Sequence, residues 1–151
     1  MVPEVFVADT NVLFPFFRKD SATASVITGR HGGAIKLLAP ELAKAELNKY
    51  KLLLCSKSGI LPELFDRLLS LLEYFVEFIP LDEYKKHMPK AISLANAFSS
   101  KDKEDFMNDV DFFALALKEK CSIWSKDKLF KKQSRIKVLN TPELLTELGL
   151  K

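Results

Sequence analysis

The chain has 151 residues, 48% of them hydrophobic and 28% charged, with 12 Phe against 5 Gly and 7 Pro. That length and balance suit one folded domain with a real core, and they exclude a disordered or loop-rich chain. A formal net charge of +3 is too mild to name a partner, and Cys55 and Cys121, far apart and without a CxxC, exclude a disulfide framework or a zinc cage.

Val5 to Ala8 is a continuous apolar run that stops at Asp9-Thr10-Asn11. Such a run without alternation predicts a strand buried on both faces of a parallel sheet. A helix over Val12–Thr28 is expected next, broken by Gly29, Gly32 and Gly33. Ala34–Ala39 reads as a second strand, and Pro40 opens a helix through about Lys57 that ends at Ser58-Gly59. Leu61–Glu77 has helical period, Phe78–Leu81 reads as a strand, and a helix kinked at Pro89 runs from Leu81 toward Phe98. After a polar turn at Ser99–Asp105 come a strong helix, Phe106–Lys120, and two short strands, Ser122–Ser125 and Ile136–Leu139. Thr141 as N-cap and Pro142 at the first helical position start a last helix. Strands alternating with helices predict an α/β chain with a mostly parallel sheet. Residues 1–151 read as a single domain, because no linker or repeat divides them. No run approaches the ~18 apolar residues of a membrane span and no signal segment opens the chain, so a soluble protein of a reducing cytoplasm is expected. Cys121 reads as a small buried hydrophobe.

Asp9 ends a buried strand, and in open parallel sheets ligands bind beyond the carboxyl ends of the strands. It either serves such a cleft or caps the next helix. Glu46 is more telling. At about 100° per residue it falls inside the stripe made by Leu42, Ala43, Tyr50, Leu53 and Leu54, whereas Glu41, Lys44 and Lys51 lie off it. A carboxylate on a core-facing side needs compensation for its charge. In the helix expected after Phe106, the inward face is Phe106, Val110, Phe113, Ala116 and Leu117, with Asp109 toward one side of it. Asp105, one turn earlier, is a reserve candidate, and Asp111 projects away as a solvated surface acid. Asp127 repeats the arrangement of Asp9, following Ile123-Trp124 at a strand end, and taken alone it reads first as a turn residue.

Taken together, acids converging on one cleft repel each other unless cations stand between them. Oxygen-only ligands suit hard ions such as Mg²⁺ or Mn²⁺, and two such ions about 4 Å apart serve phosphodiester cleavage. His31 and His87 fit no ligand spacing and read as surface residues. Basic residues crowd the stretch from Lys118 to Lys137. Lys126, Lys128, Lys131, Lys132 and Arg135 form either a solvated face or an RNA-binding patch.

VFVADTNVL at the start, PELAKAEL some way on and DVDFFALALKEKCSIWSKDKLF toward the end resemble, in that order, the motifs of PIN domains, the nuclease family that includes VapC-type toxins. The resemblance frames about residues 4 to 139. It implies a Rossmann-like three-layer α/β/α fold with strand order close to 3-2-1-4-5 and a metal site at the carboxyl edge. It also implies that Asp9, Glu46, Asp109 and Asp127 are catalytic metal ligands, positioned by Thr10, Asn11 and Ser125. The implied activity is Mg²⁺- or Mn²⁺-dependent cleavage of single-stranded RNA, with homodimers common in the family. A helical insertion around residues 58–100 departs from the compact toxins, which leaves an antitoxin partner and a stand-alone RNA-processing enzyme both open.

Two rival readings stand beside this one. An aspartate-nucleophile phosphatase of the haloacid-dehalogenase type would use Asp9, yet it places a second Asp where this chain has Asn11. A non-catalytic module would bind RNA or a protein through the lysine-rich stretch, yet such a groove gains nothing from clustered acids.

Overall fold

The computed structural model describes residues 4–18, 21–29 and 35–149. Strands β1 (Glu4–Ala8), β2 (Ile35–Pro40), β3 (Val76–Ile79), β4 (Ser122–Trp124) and β5 (Val138–Leu139) form one sheet. Its order is β3-β2-β1-β4-β5 and every neighbouring pair is parallel. Successive residues Phe6, Val7 and Ala8 are all buried, as are Leu37, Leu38 and Ala39. Neighbours along a strand point to opposite faces, so both faces of the sheet are covered and the fold has three layers, α/β/α.

The helices among the described residues are α1 (Thr10–Leu13), α2 (Ala22–Ile27), α3 (Glu41–Lys49), α4 (Lys51–Ser58) and α5 (Pro62–Leu72). They continue with α6 (Leu81–Tyr84), α7 (Met88–Ser93), α8 (Ser100–Met107), α9 (Val110–Glu119) and α10 (Thr141–Glu147). α9 packs against β1, β2 and β4 and also against α7. That sandwiching explains why Phe112, Phe113, Ala114, Leu115 and Ala116 are buried in sequence rather than at helical intervals. Phe106 and Phe113 lie 4.7 Å apart, and Phe113 and Phe130 4.8 Å apart. This aromatic string pins α8, α9 and the 3₁₀ turn Lys128–Lys132 together.

Several expected helices are broken, each at an identifiable residue. The helix expected over Val12–Thr28 is α1, a 3₁₀ turn at Phe14–Phe17 and then α2. Pro15 lacks the N–H an α-helix needs there, and Ser21 restarts the helix by accepting a hydrogen bond from the Ala24 N–H at 3.0 Å. The helix from Pro40 divides at Tyr50 into α3 and α4, and the second part ends at Gly59, whose φ of 68° is the left-handed conformation of a helix terminus. The helix expected to Glu77 stops at Leu72. β3 begins at Val76, two residues before the expected Phe78, with Val76 and Ile79 buried and Glu77 exposed. The helix from Leu81 is a chain of short pieces ending in a 3₁₀ turn at Leu94–Ala97. The last helix is capped by Asn140 and not Thr141: Asn140 and Glu143 form a capping box, while Thr141 accepts from the Trp124 indole N–H at 3.0 Å.

The stretch 58–100 contributes β3, an edge strand, as well as helices, so it is woven into the sheet. Ala34, His31 and the glycines at 32 and 33 lie outside the described residues. His87 is half-buried rather than on the surface, and its buried Nδ1 finds no hydrogen-bond partner among the described residues. Cys121 is half-buried, with burial pushing its thiol up to about 11. None of the helices among the described residues is long and apolar enough to cross a membrane.

Candidate active site

The chain builds β1, β2 and β3 outward in one direction, then crosses back to place β4 on the other side of β1. The reversal leaves a crevice at the carboxyl ends of β1 and β4, where open α/β sheets bind ligands. Asp9 follows β1 and Ser125-Lys126-Asp127 follows β4, so both segments open onto it.

A hydrogen-bond net stitches the two strand ends together. The Asp9 N–H donates to the Trp124 carbonyl at 2.9 Å. The Ser125 hydroxyl donates to Asp9 Oδ2 at 2.7 Å and accepts from the Asp127 N–H at 2.9 Å. Asn11 Oδ1 accepts from the Lys126 N–H at 3.2 Å. Asp127 Oδ1 caps the following 3₁₀ turn by accepting from the Leu129 N–H at 2.9 Å. From the neighbouring β2 side, the Thr10 hydroxyl donates to Glu46 Oε1 on α3 at 2.9 Å.

Asp109 arrives by a different route from the one expected. It is not inside a helix: α8 ends at Met107, and Asp109, at φ −118° and ψ 10°, is the N-cap of α9. Its carboxylate makes no capping bond, and no other hydrogen bond holds it among the described residues. The kink replaces the helical phase argument, because Asn and Asp are weak helix formers that favour helix ends. Asp9, Glu46, Asp109 and Asp127 thus line one cavity of about 630 Å³, together with Thr10 and Asn11.

The electrostatics of that cavity are those of crowded, poorly compensated acids. Burial pushes the Asp9 carboxyl up to about 6, against the opposing hydrogen bond from Ser125 and with added push from Asp127 and Glu46. Burial also lifts Asp109 to about 7, helped by the charges of Asp9, Glu46, Asp127 and Asp105. Glu46 is raised by burial as well, with the Thr10 hydroxyl working against the shift. None of the ion pairs among the described residues involves any of these four acids.

The donor set suits a hard divalent cation, since it offers carboxylate oxygens that no ammonium or guanidinium pairs with among the described residues. As posed, however, no three acidic, His or Cys side chains among the described residues stand close enough to grip one ion. Two facts reconcile these observations. Glu46 and Asp127 are each tied to a neighbouring hydroxyl or N–H. Mg²⁺ keeps several of its waters and is commonly held by one or two carboxylates rather than by an all-protein cage. The cleft fits such an ion as a lined trough and not as a closed shell.

Asp111 departs from its expected role as a solvated surface acid. It is half-buried and accepts the Tyr84 hydroxyl at 2.6 Å. Burial and this carboxylate hold the Tyr84 phenol well above its usual value. The stripe around Glu46 also differs from a core face. Tyr50 is 40% and Leu53 51% exposed, and both line the cleft with Phe14, Arg18, Leu54 and Lys57. An apolar stripe on a helix marks whatever the helix faces, here a cavity wall, which is why the sequence alone did not separate them. Among the lysine-rich residues, Lys131 pairs with Glu143 and Lys132 with Asp102. Lys126 and Lys128 are exposed without ion pairs among the described residues. Arg135 lines a separate pocket beside Lys120 and Cys121, at the start of β4 and so at the opposite end of that strand from the acids.

A sequence model of the PIN domain matches residues 7–148. The chain belongs to the PIN domain family. This PIN domain also resembles, with a TM-score of 0.65, a chain in the crystal structure of VapBC2 from Rickettsia felis bound to a DNA fragment from their promoter. The likeness covers 90% of this chain and 98% of that one at 15% identity, so it speaks to the fold. No curated protein matches the chain.

Proposed function

We propose that this PIN domain is a Mg²⁺- or Mn²⁺-dependent endoribonuclease that hydrolyses phosphodiester bonds of single-stranded RNA. One observation carries the reading: four carboxylates from separate parts of the chain line one cleft at the carboxyl edge of the sheet, and among the described residues no cationic side chain is paired to any of them. Asp9, Glu46, Asp109 and Asp127 would hold the metal, which when bound supplies an activated water and charge stabilisation for the leaving oxygen.

The chain's own residues supply orientation. Ser125 fixes Asp9 through its Oδ2, and Asn11 fixes the Lys126 backbone that leads to Asp127. Thr10 fixes one oxygen of Glu46, which lines the cleft. The Asp109 carboxylate is held by no hydrogen bond among the described residues, so its oxygens are not committed to another group. Lys126 and Lys128 stand beside Asp127 as exposed cations for the flanking phosphates, whereas Lys131 and Lys132 are held in ion pairs and Arg135 lies toward the other end of β4.

The family and the likeness to a VapBC2 chain support a VapC-type toxin with an antitoxin partner; a homodimer of the cytoplasm belongs to the same proposal, and a stand-alone RNA-processing enzyme is its alternative. The deciding experiment incubates the purified protein with labelled single-stranded RNA, with and without Mn²⁺, beside Asp9→Asn. Cleavage that needs both the metal and Asp9 is expected. Cleavage indifferent to both, or none with Mn²⁺ present, overturns the reading. Retained RNA binding in that second case would favour the non-catalytic module.

A further inference from the structure

We infer that the mouth of the cleft is a nucleobase platform. The ring of Tyr50, braced edge to face by Phe14 and with Leu53 beside it, stacks a base of single-stranded nucleic acid, and Arg18 and Lys57 draw its phosphates. The inference rests on the nuclease reading and assigns residues to substrate positioning that the acids cannot provide.

Placement comes first. Tyr50 sits at the break between α3 and α4, and its N–H donates to the Glu46 carbonyl at 3.1 Å, so its ring stands one helical turn beyond that acid. Phe14 follows α1 directly, one turn after Thr10, whose hydroxyl holds the same Glu46. The two rings meet edge to face with centroids 6.0 Å apart. They and Leu53 line the same cavity as the four carboxylates, so a base resting there brings its phosphate toward the acids.

Exposure and charge come second. Tyr50 and Leu53 are 40% and 51% exposed, an apolar wall on an otherwise acidic trough. Carboxylates repel phosphates, so a nucleic-acid cleft needs attraction from elsewhere. Arg18 and Lys57 are exposed on the cleft's lining and make no ion pair among the described residues. Aromatic faces beside a positive rim are the pairing that grips single strands, because every base offers a π-face and every linkage a charge. A docked apolar helix would use Leu53 and Tyr50 equally well, but it gives Arg18 and Lys57 no role.

The test measures fluorescence anisotropy of labelled single-stranded oligonucleotides in Ca²⁺ with the whole protein. One oligonucleotide carries bases and one of equal length is abasic. Wild type is expected to bind the base-bearing strand about tenfold more tightly. Tyr50→Leu should lose that preference while leaving abasic binding unchanged, and Tyr50→Phe should keep it. Arg18→Ala with Lys57→Ala should weaken both strands and flatten the salt dependence. Equal binding of the two strands by wild type overturns the platform without need of any variant. So does a Tyr50→Leu protein that loses both strands alike, or one that binds both as wild type does, as expected if the wall serves a protein partner. Cleavage of RNA in Mn²⁺ by the wild type is scored separately. The platform can fail while the nuclease stands, and the nuclease can fail while the base preference remains.

Discussion

The hydroxyl of Ser125 donates to Asp9 Oδ2 at 2.7 Å across 116 positions of sequence. Both groups are buried, and the bond opposes the upward push that burial exerts on Asp9. Ser125→Ala removes that opposition and leaves a buried carboxylate short of a donor, a loss of about 1.5–3 kcal/mol for a hydrogen bond to a charged group. The Asp9 carboxyl should then titrate higher, so the acid limb of metal-dependent cleavage should move to higher pH. A pH–rate profile that superimposes on wild type would show that Ser125 does not set the charge of Asp9.

The metal-free protein should lose stability as pH rises. Asp9 and Asp109 are raised from 3.8 to about 6 and about 7, so folding favours their protonated forms. That contribution is complete below the unfolded value and disappears as pH climbs through 6 and 7. Divalent metal must displace the same protons, so its binding should strengthen over the same interval. Melting scans in EDTA and in Mn²⁺, from about pH 5 to about pH 8, are expected to diverge upward with pH. Scans that stay parallel would sink the link between these acids and metal.

Asp9→Asn and Asp109→Asn should each abolish metal-dependent cleavage while the protein still melts cooperatively. Asp111→Ala should behave differently, because its carboxylate accepts the buried Tyr84 hydroxyl. Leaving that hydroxyl without an acceptor costs about 1–3 kcal/mol, read as a lower Tm. Tyr84→Phe in the Asp111→Ala background should recover part of the loss. If Asp111→Ala instead abolishes cleavage with Tm unchanged, Asp111 belongs to the metal-holding acids.

The lysine-rich stretch should divide in function. Lys126→Ala with Lys128→Ala should flatten the salt dependence of RNA binding more than Lys131→Ala with Lys132→Ala, whose ammonium groups are already paired to Glu143 and Asp102. Equal salt slopes for the two double variants would mean that the ion pairs open freely to RNA.

The aromatic string should carry stability alone. Phe113 is fully buried between Phe106 and Phe130. Phe113→Ala is expected to cost about 3–5 kcal/mol in denaturant titration, with the metal dependence of any residual native protein intact. A loss under about 1 kcal/mol would mean the cavity refills.

The sheet was legible because strands buried on both faces read as unbroken apolar runs, as in Val5 to Ala8. Helix ends were less so. Pro15 announced a break that the apolar residues around it concealed, and the halt at Asn108-Asp109 was hidden by the helical period of Phe106, Val110 and Phe113. Helical phase put Glu46 with Tyr50 and Leu53 but could not say whether that side met core or cavity. The Tyr84–Asp111 bond spans elements that a single sequence cannot bring together, so Asp111 looked like a solvated acid.

β4 lies inside the sheet, between β1 and β5, but late in the chain, beside the strand that is made first. A nascent polypeptide that has not yet reached Trp124 lacks the carbonyl that receives the Asp9 N–H, and one flank of β1 is bare. A chain cut short before that point would lack Asp127 and would leave β1 as an open strand edge, so the cleft and the sheet are completed by the same late segment.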